Sequence, residues 1–440
     1  GIEFAYADET KKLSGYHYQS DKDKSFTIEP NDMVIQASQP KSVLTQVLFE
    51  PNQRLSDSLS YDITAWTLPH AFGIESYALK NALSVKSKTQ LNHPDKIVAE
   101  NAFAFYIPWN SRVSAKIAAG LLRKNIKVRS SRKASAFGAI KIGLGDLIVL
   151  KSDNRQLPDF EKTLESLLIE KSDYNVIKSG FSVSGSDLGG ENYPLLRAPK
   201  VLLLSGSTIS PTDFGQVWFY MDQIINYPVS IVDVNDLRRI SFSEFTTLIL
   251  PDGWYDLSDS QKKNIDDFIS KGGKVIALQN ALSLFEDREG YSLTQYATDE
   301  EKDEAKKESN EETLKLRFQQ YQNAERRSIS NAVPGAIIEN VLDKTHPLSY
   351  GLGDTYYSLK TSDKHFKILK NVWNVAYVPE HYKSFGFIGK NLKKKLENTA
   401  SFAVEPIGKG QVIYMIDNPL FRGFWENGNL LFSNALFLVD

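Results

Sequence analysis

The chain has 440 residues, and 52 lysines and arginines against 54 aspartates and glutamates leave a net charge of only −2. Such a balance supplies no long-range field for nucleic acid or anionic lipid, so neither is expected as a partner. The lack of cysteine excludes disulfides, thiolate metal sites and a cysteine nucleophile, and no apolar run approaches the ~18–20 residues of a membrane-spanning helix.

The start, Gly1-Ile2-Glu3-Phe4, carries no initiator Met and no basic-then-apolar signal segment, and reads as the cut end of an excised piece. Short alternating stretches, Phe26–Ile28 and Met33–Ala37, predict extended edge structure, and Leu44–Phe49 predicts another short strand before the Pro51-Asn52 breaker. Phe103–Ile107 then reads as a strand, Ser114–Lys124 as an amphipathic helix and Ile126–Val128 as a second strand. That order predicts a parallel strand–helix–strand unit. Asp146–Leu150 and Asp159–Lys171 add a strand and a helix, and the polar, glycine-rich Ser179–Asn192 closes this half.

The second half opens on the apolar strand Lys200–Leu204, which runs into Ser205-Gly206-Ser207 and a helix over Asp213–Ile225. Val229–Val232, Thr247–Leu250 and Lys274–Leu278 read as further strands. A helix at Asp259–Lys271 ends at Gly272-Gly273. Asp299–Glu312 is a charged run with no large apolar residue, a solvated insertion within about residues 297–330, and Leu314–Phe318 continues it as a surface helix. Gln411–Ile416 and Asn429–Leu438 supply a late strand and an apolar terminal helix. The expected fold is α/β, with one domain over 1–195 and a second over 196–440 built on an open, mostly parallel sheet covered on both faces.

Ligands of such sheets gather where the strands end, so the candidate site is sought there. Ser205 and Gly206, Asp252 and Gly253, and Gln279 and Asn280 each follow a predicted parallel strand and would share one edge. Lys274–Leu282 is a strand running straight into a short helix, the geometry that presents a nucleophile in elbow-type enzymes. Gln279 and Asn280 occupy its tip, and an amide cannot attack a carbonyl; turn-making is the structural alternative. Asp252 could act as an acid or as a helix-entry acceptor. His346 lies in the Thr345–Leu348 turn, and Arg422, among aromatics, could clamp a carboxylate or staple the terminal helix. A hydrolytic Asp252–His346 arrangement across an interdomain cleft is a further option. Gly143-Leu144-Gly145 completes no phosphate-loop pattern, and the six histidines form no short-range zinc motif, so no cofactor is expected in this chain.

Several segments, taken together, resemble the region downstream of the catalytic domain in large secreted bacterial zinc carboxypeptidases. They are Leu55–Pro69, Gln39-Pro40, Leu48–Pro51, Phe214–Trp218, Leu250–Gly253, Thr345–Leu348 and Phe421–Trp425, spread over about residues 30 to 440. The part from about Lys200 also resembles the class I glutamine amidotransferase-like (flavodoxin-like) fold. The Cys of its elbow is replaced here by Gln279-Asn280. The resemblance implies a non-catalytic accessory region, secreted or periplasmic, covalently linked to an upstream peptidase domain that holds the zinc. The alternative is a small-molecule, peptide or glycan-binding module with a degenerate amidotransferase-like pocket.

Overall fold

A computed structural model describes residues 1–53, 62–85, 101–168, 174–294 and 328–440. The charged run 299–312, the segment 314–318, residues 55–61 of the resemblance and His93 lie outside the described residues. None of the described helices is long and apolar enough to cross a membrane.

The N-terminal part is a small lobe of hairpins. Strands β1 (Lys11–His17) and β2 (Lys22–Ile28) pair antiparallel, turning through Asp21 in the left-handed region at φ 52°. Ala5–Tyr6 and Met33–Val34 pair likewise, so the alternating stretches are extended as expected. The expected strand at Leu44–Phe49 is instead helix α1 (Ser42–Phe49). A short apolar run cannot distinguish the two by periodicity, and here the Thr45 hydroxyl bonds back to the Lys41 carbonyl at 3.0 Å within a helical turn. Helix α2 (Leu68–Phe72) starts with Pro69 in its first turn and stops at Gly73, φ 64°. Strand β3 (Tyr77–Ala78) returns to β1.

The middle segment contains β4 (Ala104–Ile107), α3 (Arg112–Arg123), β5 (Arg129–Ser130), β6 (Leu147–Leu150), α4 (Phe160–Leu167) and β7 (Asn175–Ile177). The sheet runs in the order β7-β4-β6-β5 with neighbours paired antiparallel, so β4 and β5, each antiparallel to β6, run parallel to each other as expected but are not adjacent. Here β6 inserts between β4 and β5, and the second strand starts at Arg129 rather than at Ile126. Helix α3 matches its amphipathic pattern: Ser111 and Ser114 form a reciprocal cap, and Ile117, Ala118, Leu121 and Leu122 are buried.

The C-terminal part is built from β8 (Val201–Ser205), α5 (Pro211–Phe219), β9 (Val229–Asp233), β10 (Thr247–Leu250), α6 (Asp259–Ser270), β11 (Lys274–Leu278), β12 (Ala336–Leu342), β13 (Thr355–Lys360), β14 (Trp373–Val378), β15 (Thr399–Ile407), β16 (Gly410–Met415) and α7 (Asn427–Ser433). Five strands, β9-β8-β10-β11-β16, run parallel. The fold is α/β. Beyond β16 the same sheet continues antiparallel through β15, β14, β12 and β13, so it is mixed as a whole.

Alternate residues of the parallel strands enter opposite cores. Leu203, Ile249 and Ile276 pack with Tyr220, Phe432 and Leu436 on one face, in a cluster that continues into Trp109, Ile117 and Leu121. Leu202, Leu204 and Leu248 pack with Phe268, Ile269 and Phe285 on the other. Burial on both faces is why these strands read as unbroken apolar runs, and each such leucine contributes about 1.5–3 kcal/mol. The chain end is tied to the sheet by Lys274, whose ammonium donates to the carbonyls of Leu436 (3.0 Å) and Val439 (2.6 Å). Burial pulls its pKa down to about 8.

Candidate functional site

The parallel strands end along one edge, and the turns that follow β8, β10 and β11 meet there. At the end of β11 the chain reverses at Gln279, which takes φ 50° before a 3-10 turn over Gln279–Leu284. A left-handed residue directly after a buried strand is a sharp elbow, and a side chain at its tip is aimed off the sheet. The Asn280 N–H that this turn frees is accepted by Asp252 Oδ1 at 2.9 Å, which locks the β10 and β11 turns together. Asp252 also holds the β8 turn, since its carbonyl accepts from Ser210 N at 2.9 Å. Gly253 bridges to Ile209; a Cβ there would stand 2.8 Å from the Ile209 Cα, so the close approach requires glycine. Gly206 adopts φ 138°, and Ser205 pairs with Asp233 at the end of β9.

The electrostatics of this edge are acidic and amide-rich. Burial pushes the Asp252 carboxyl above the usual carboxylate range, the Asp213 charge adds to that, and the Asn280 N–H opposes it. Asp213 sits in the first turn of α5, where the Ser210 hydroxyl donates to its Oδ2 at 2.5 Å and Asn418 Nδ2 donates to its Oδ1 at 2.8 Å. Asn418 Nδ2 also donates to Gln216 Oε1 at 2.6 Å. The Gln279 amide reaches Thr361 Oγ1 at 3.4 Å, and its own Oε1 is shielded from solvent with no hydrogen-bond partner.

A buried polar network joins the end of β13 to the turn after β16. Lys360 and Asp417 are each 2% exposed and pair at 3.0 Å. Ser358 donates to Asp417 Oδ2 at 2.6 Å, and Asn340 Nδ2 donates to Ser358 Oγ at 3.1 Å. Lys360 has a further acceptor in the Lys364 carbonyl at 2.5 Å. Every charged atom of the pair therefore has a partner, the condition under which a buried ion pair is tolerated.

The other two sequence candidates fall elsewhere. Strand β12 runs opposite to the parallel strands, so His346, in the turn after it, lies at the far edge from Asp252. Its Nδ1 accepts the Leu348 N–H at 3.1 Å as a turn cap, and burial lowers its pKa to about 4. An Asp252–His346 couple is thus excluded by topology. Arg422 pairs with Asp62 at 3.0 Å and lies over the Phe421 ring at 4.9 Å, tying residue 62 to the 421–423 turn. A small cleft beside that turn, lined by Gln216, Phe219, Tyr220, Leu420 and Gly423, has room for about one water. The Gly143–Gly145 turn wraps a buried carboxylate of its own chain: Asp146 accepts from Gly143 N (2.7 Å), Trp109 N (2.7 Å) and Tyr106 OH (2.9 Å). Among the described residues no three His, Asp or Glu side chains come together as a metal site.

Sequence reasoning missed Asp213, Thr361, Asn418 and the Lys360–Asp417 pair. For Asp213 a signal was present, because Ser210-Pro211-Thr212-Asp213 has the spacing of a helix N-cap. No local pattern marks the others.

No protein-family model matches the sequence, and no curated protein matches it significantly. Solved structures align with about half of the chain, and only distantly. A ThuA-like protein from Bacteroides uniformis aligns over 54% of this chain and 91% of its own, at 12% identity and a TM-score of 0.34. One from Parabacteroides merdae covers 54% and 89% at 14% identity and 0.30. An exo-β-1,4-mannosidase from an Opitutaceae bacterium covers 55% and 37% at 11% identity and 0.30. Such slight likenesses carry no argument about activity, and the α/β assignment rests on the sheet itself.

Proposed function

We propose that this chain is a non-catalytic accessory region of a secreted zinc carboxypeptidase, linked to an upstream domain that holds the zinc and performs the proteolysis. The observation that supports a non-catalytic role is Gln279. The β11 elbow keeps the left-handed backbone of a nucleophile turn, yet its tip bears an amide anchored to Thr361. The amidotransferase-like character of this half rests on the resemblance from about Lys200 onward, with Gln279-Asn280 at the elbow, and the peptidase connection on that of Leu55–Pro69, Leu250–Gly253, Thr345–Leu348 and Phe421–Trp425. The edge formed by Asp252, Gln279 and Asn280 then serves to orient or extend a peptide substrate rather than to cleave it.

The natural protein, isolated with an antibody against this chain, tests the reading. A species near twice 49.6 kDa that releases C-terminal residues from peptides and loses that activity to a zinc chelator is expected, while the 440-residue chain alone turns nothing over. A species of 49.6 kDa with peptidase, amidase or glycosidase turnover abolished by Asp252→Asn overturns it. The second reading, a small-molecule or glycan-binding module, is favoured by the unpartnered Gln279 Oε1 at the same edge. A ligand present at 100 times its Kd stabilises the folded state by about 2.7 kcal/mol, so a thermal shift with a sugar or other small molecule and none with peptides favours the second reading over the first.

A further inference from the structure

The N-terminal lobe is fastened to the antiparallel half of the sheet through α2, and His70 stands at the junction. Its side chain is 0% exposed. The ring lies 4.6 Å from that of Tyr357 in β13, 4.5 Å from Phe385 and 6.2 Å from Tyr18 of the lobe. Nε2 is 3.2 Å from the Tyr18 carbonyl, whereas Nδ1 is buried with no hydrogen-bond partner at all. Only one protonation state satisfies this arrangement: neutral imidazole with its proton on Nε2, donating to Tyr18. A second proton on Nδ1 would place a positive charge in an aromatic box with no acceptor to receive it.

The charged groups that face the ring do not change that conclusion. Asp21, in the β1–β2 turn, favours the imidazolium, and Lys383, before the short Ser384–Phe385 strand, opposes it. Lys383 is itself paired with Glu339 of β12. The flanking Tyr18 and Tyr357 are held neutral, and their hydroxyls donate to the Phe49 and Gln19 carbonyls. Burial outweighs these charges and lowers the His70 pKa to about 4.

We propose that His70 is an acid-sensitive latch: while neutral it locks the lobe of residues 1–53 and 62–78 onto the sheet, and on protonation it releases that lobe from a sheet that stays folded. Above the ordinary histidine pKa the ring is neutral whether docked or free, so docking costs nothing in protons. As the pH falls from about 6.5 towards 4, the undocked lobe binds a proton that the docked one refuses, and each unit in that window shifts the equilibrium about tenfold towards release. Further fasteners, among them the Thr64 hydroxyl on the Gly335 carbonyl at 2.6 Å, the Tyr357 hydroxyl on the Gln19 carbonyl and the Asp62–Arg422 pair, hold the lobe near the sheet and make the opening reversible. His17, in the same lobe with Nδ1 2.8 Å from Ser20 Oγ, has a lowered pKa of its own, through burial first, and serves as the control.

Hydrogen exchange of the intact chain across that pH range, corrected for intrinsic rates, tests the latch. Peptides from 11–28 and 62–78 should lose protection reversibly on acidification while 201–205 and 274–278 keep theirs. His70→Phe should flatten this pH dependence, and His17→Gln should leave it in place. A lobe protected down to about pH 4, simultaneous loss over the whole molecule, or an unchanged profile in His70→Phe would each overturn the proposal. Should His70→Phe fail to fold, NMR titration of the wild-type His70 ring decides. A midpoint coinciding with lobe opening supports the latch, and a ring that titrates near 6.5 under a still-protected lobe refutes it.

Discussion

At Gln279 the backbone holds a non-glycine residue at φ 50°, a conformation that costs an L-residue about 1–2 kcal/mol relative to the right-handed region. Gln279→Gly should therefore hold or raise stability, by up to about 1 kcal/mol, while the β-branched Gln279→Val should lower it by about 1–2 kcal/mol. Chemical denaturation of the two variants measures this directly, and equal midpoints would show that the elbow is unstrained. The Lys360–Asp417 pair behaves differently. Lys360→Met strands a buried carboxylate and should cost about 3–5 kcal/mol, whereas Lys360→Met with Asp417→Leu should cost clearly less than the two single changes added. An additive double mutant would mean that the two charges do not depend on each other. Neither residue announces itself in the sequence: Thr355–Lys360 alternates no more clearly than a loop, because Ser358 and Lys360 are polar groups placed inside.

Elements are decided by how closely their backbones approach. In α5, Gly215 has no atom within 4 Å of where a Cβ would sit, and Gly215→Ala should stabilise the protein by about 0.5–1 kcal/mol through helix propensity alone. In α7, a Cβ at Gly428 would collide with the Pro419 carbonyl, so Gly428→Ala should push the helix start off the 418–420 turn and lower the melting temperature sharply. The pair of variants, measured together, separates propensity from packing: two stabilising results would show that α7 can shift at no cost. The same contrast governs what was legible. The apolar strands Val201–Ser205, Thr247–Leu250 and Lys274–Leu278 could be read directly because burial on both faces leaves polar residues only at their ends, Ser205, Thr247 and Lys274. Leu44–Phe49 was misread as a strand because six residues are too few for a period to show, and β12 to β15 escaped notice because their buried polar groups break the apolar run.

On the scale of the whole molecule, acid is the condition that tests the fold. Two histidines, the buried His70 and the half-buried His346, have folded-state pKa values near 4 against 6.5 when exposed, both chiefly through desolvation. The folded chain therefore binds fewer protons than the unfolded chain between those values. Stability contributed by neutral burial is complete above about pH 6.5 and is lost as the pH falls to about 4, by up to about 3 kcal/mol per histidine. His346→Asn keeps an acceptor for the Leu348 N–H but cannot titrate, so it should flatten part of the acid slope of the melting temperature; an unchanged slope would remove His346 from the account.

The sequence by itself determined the α/β class, the five parallel strands, the amphipathic α3 and α6, and the chemistry ruled out by a chain without cysteine. These follow from local rules, because burial on both faces writes continuous apolar runs and one-sided burial writes helical stripes. Tertiary structure alone decided that β6 would insert between β4 and β5, that the sheet would continue antiparallel through β13, and that His346 would lie across the molecule from Asp252. It also brought Asp213, Asn418 and Thr361 to the edge where Asp252 and Gln279 stand, and enclosed His70 between Tyr18 of the lobe and Tyr357 and Phe385 of the sheet, far apart in the chain. Strand order and side-chain enclosure depend on which surfaces meet, and no window of the sequence contains both partners.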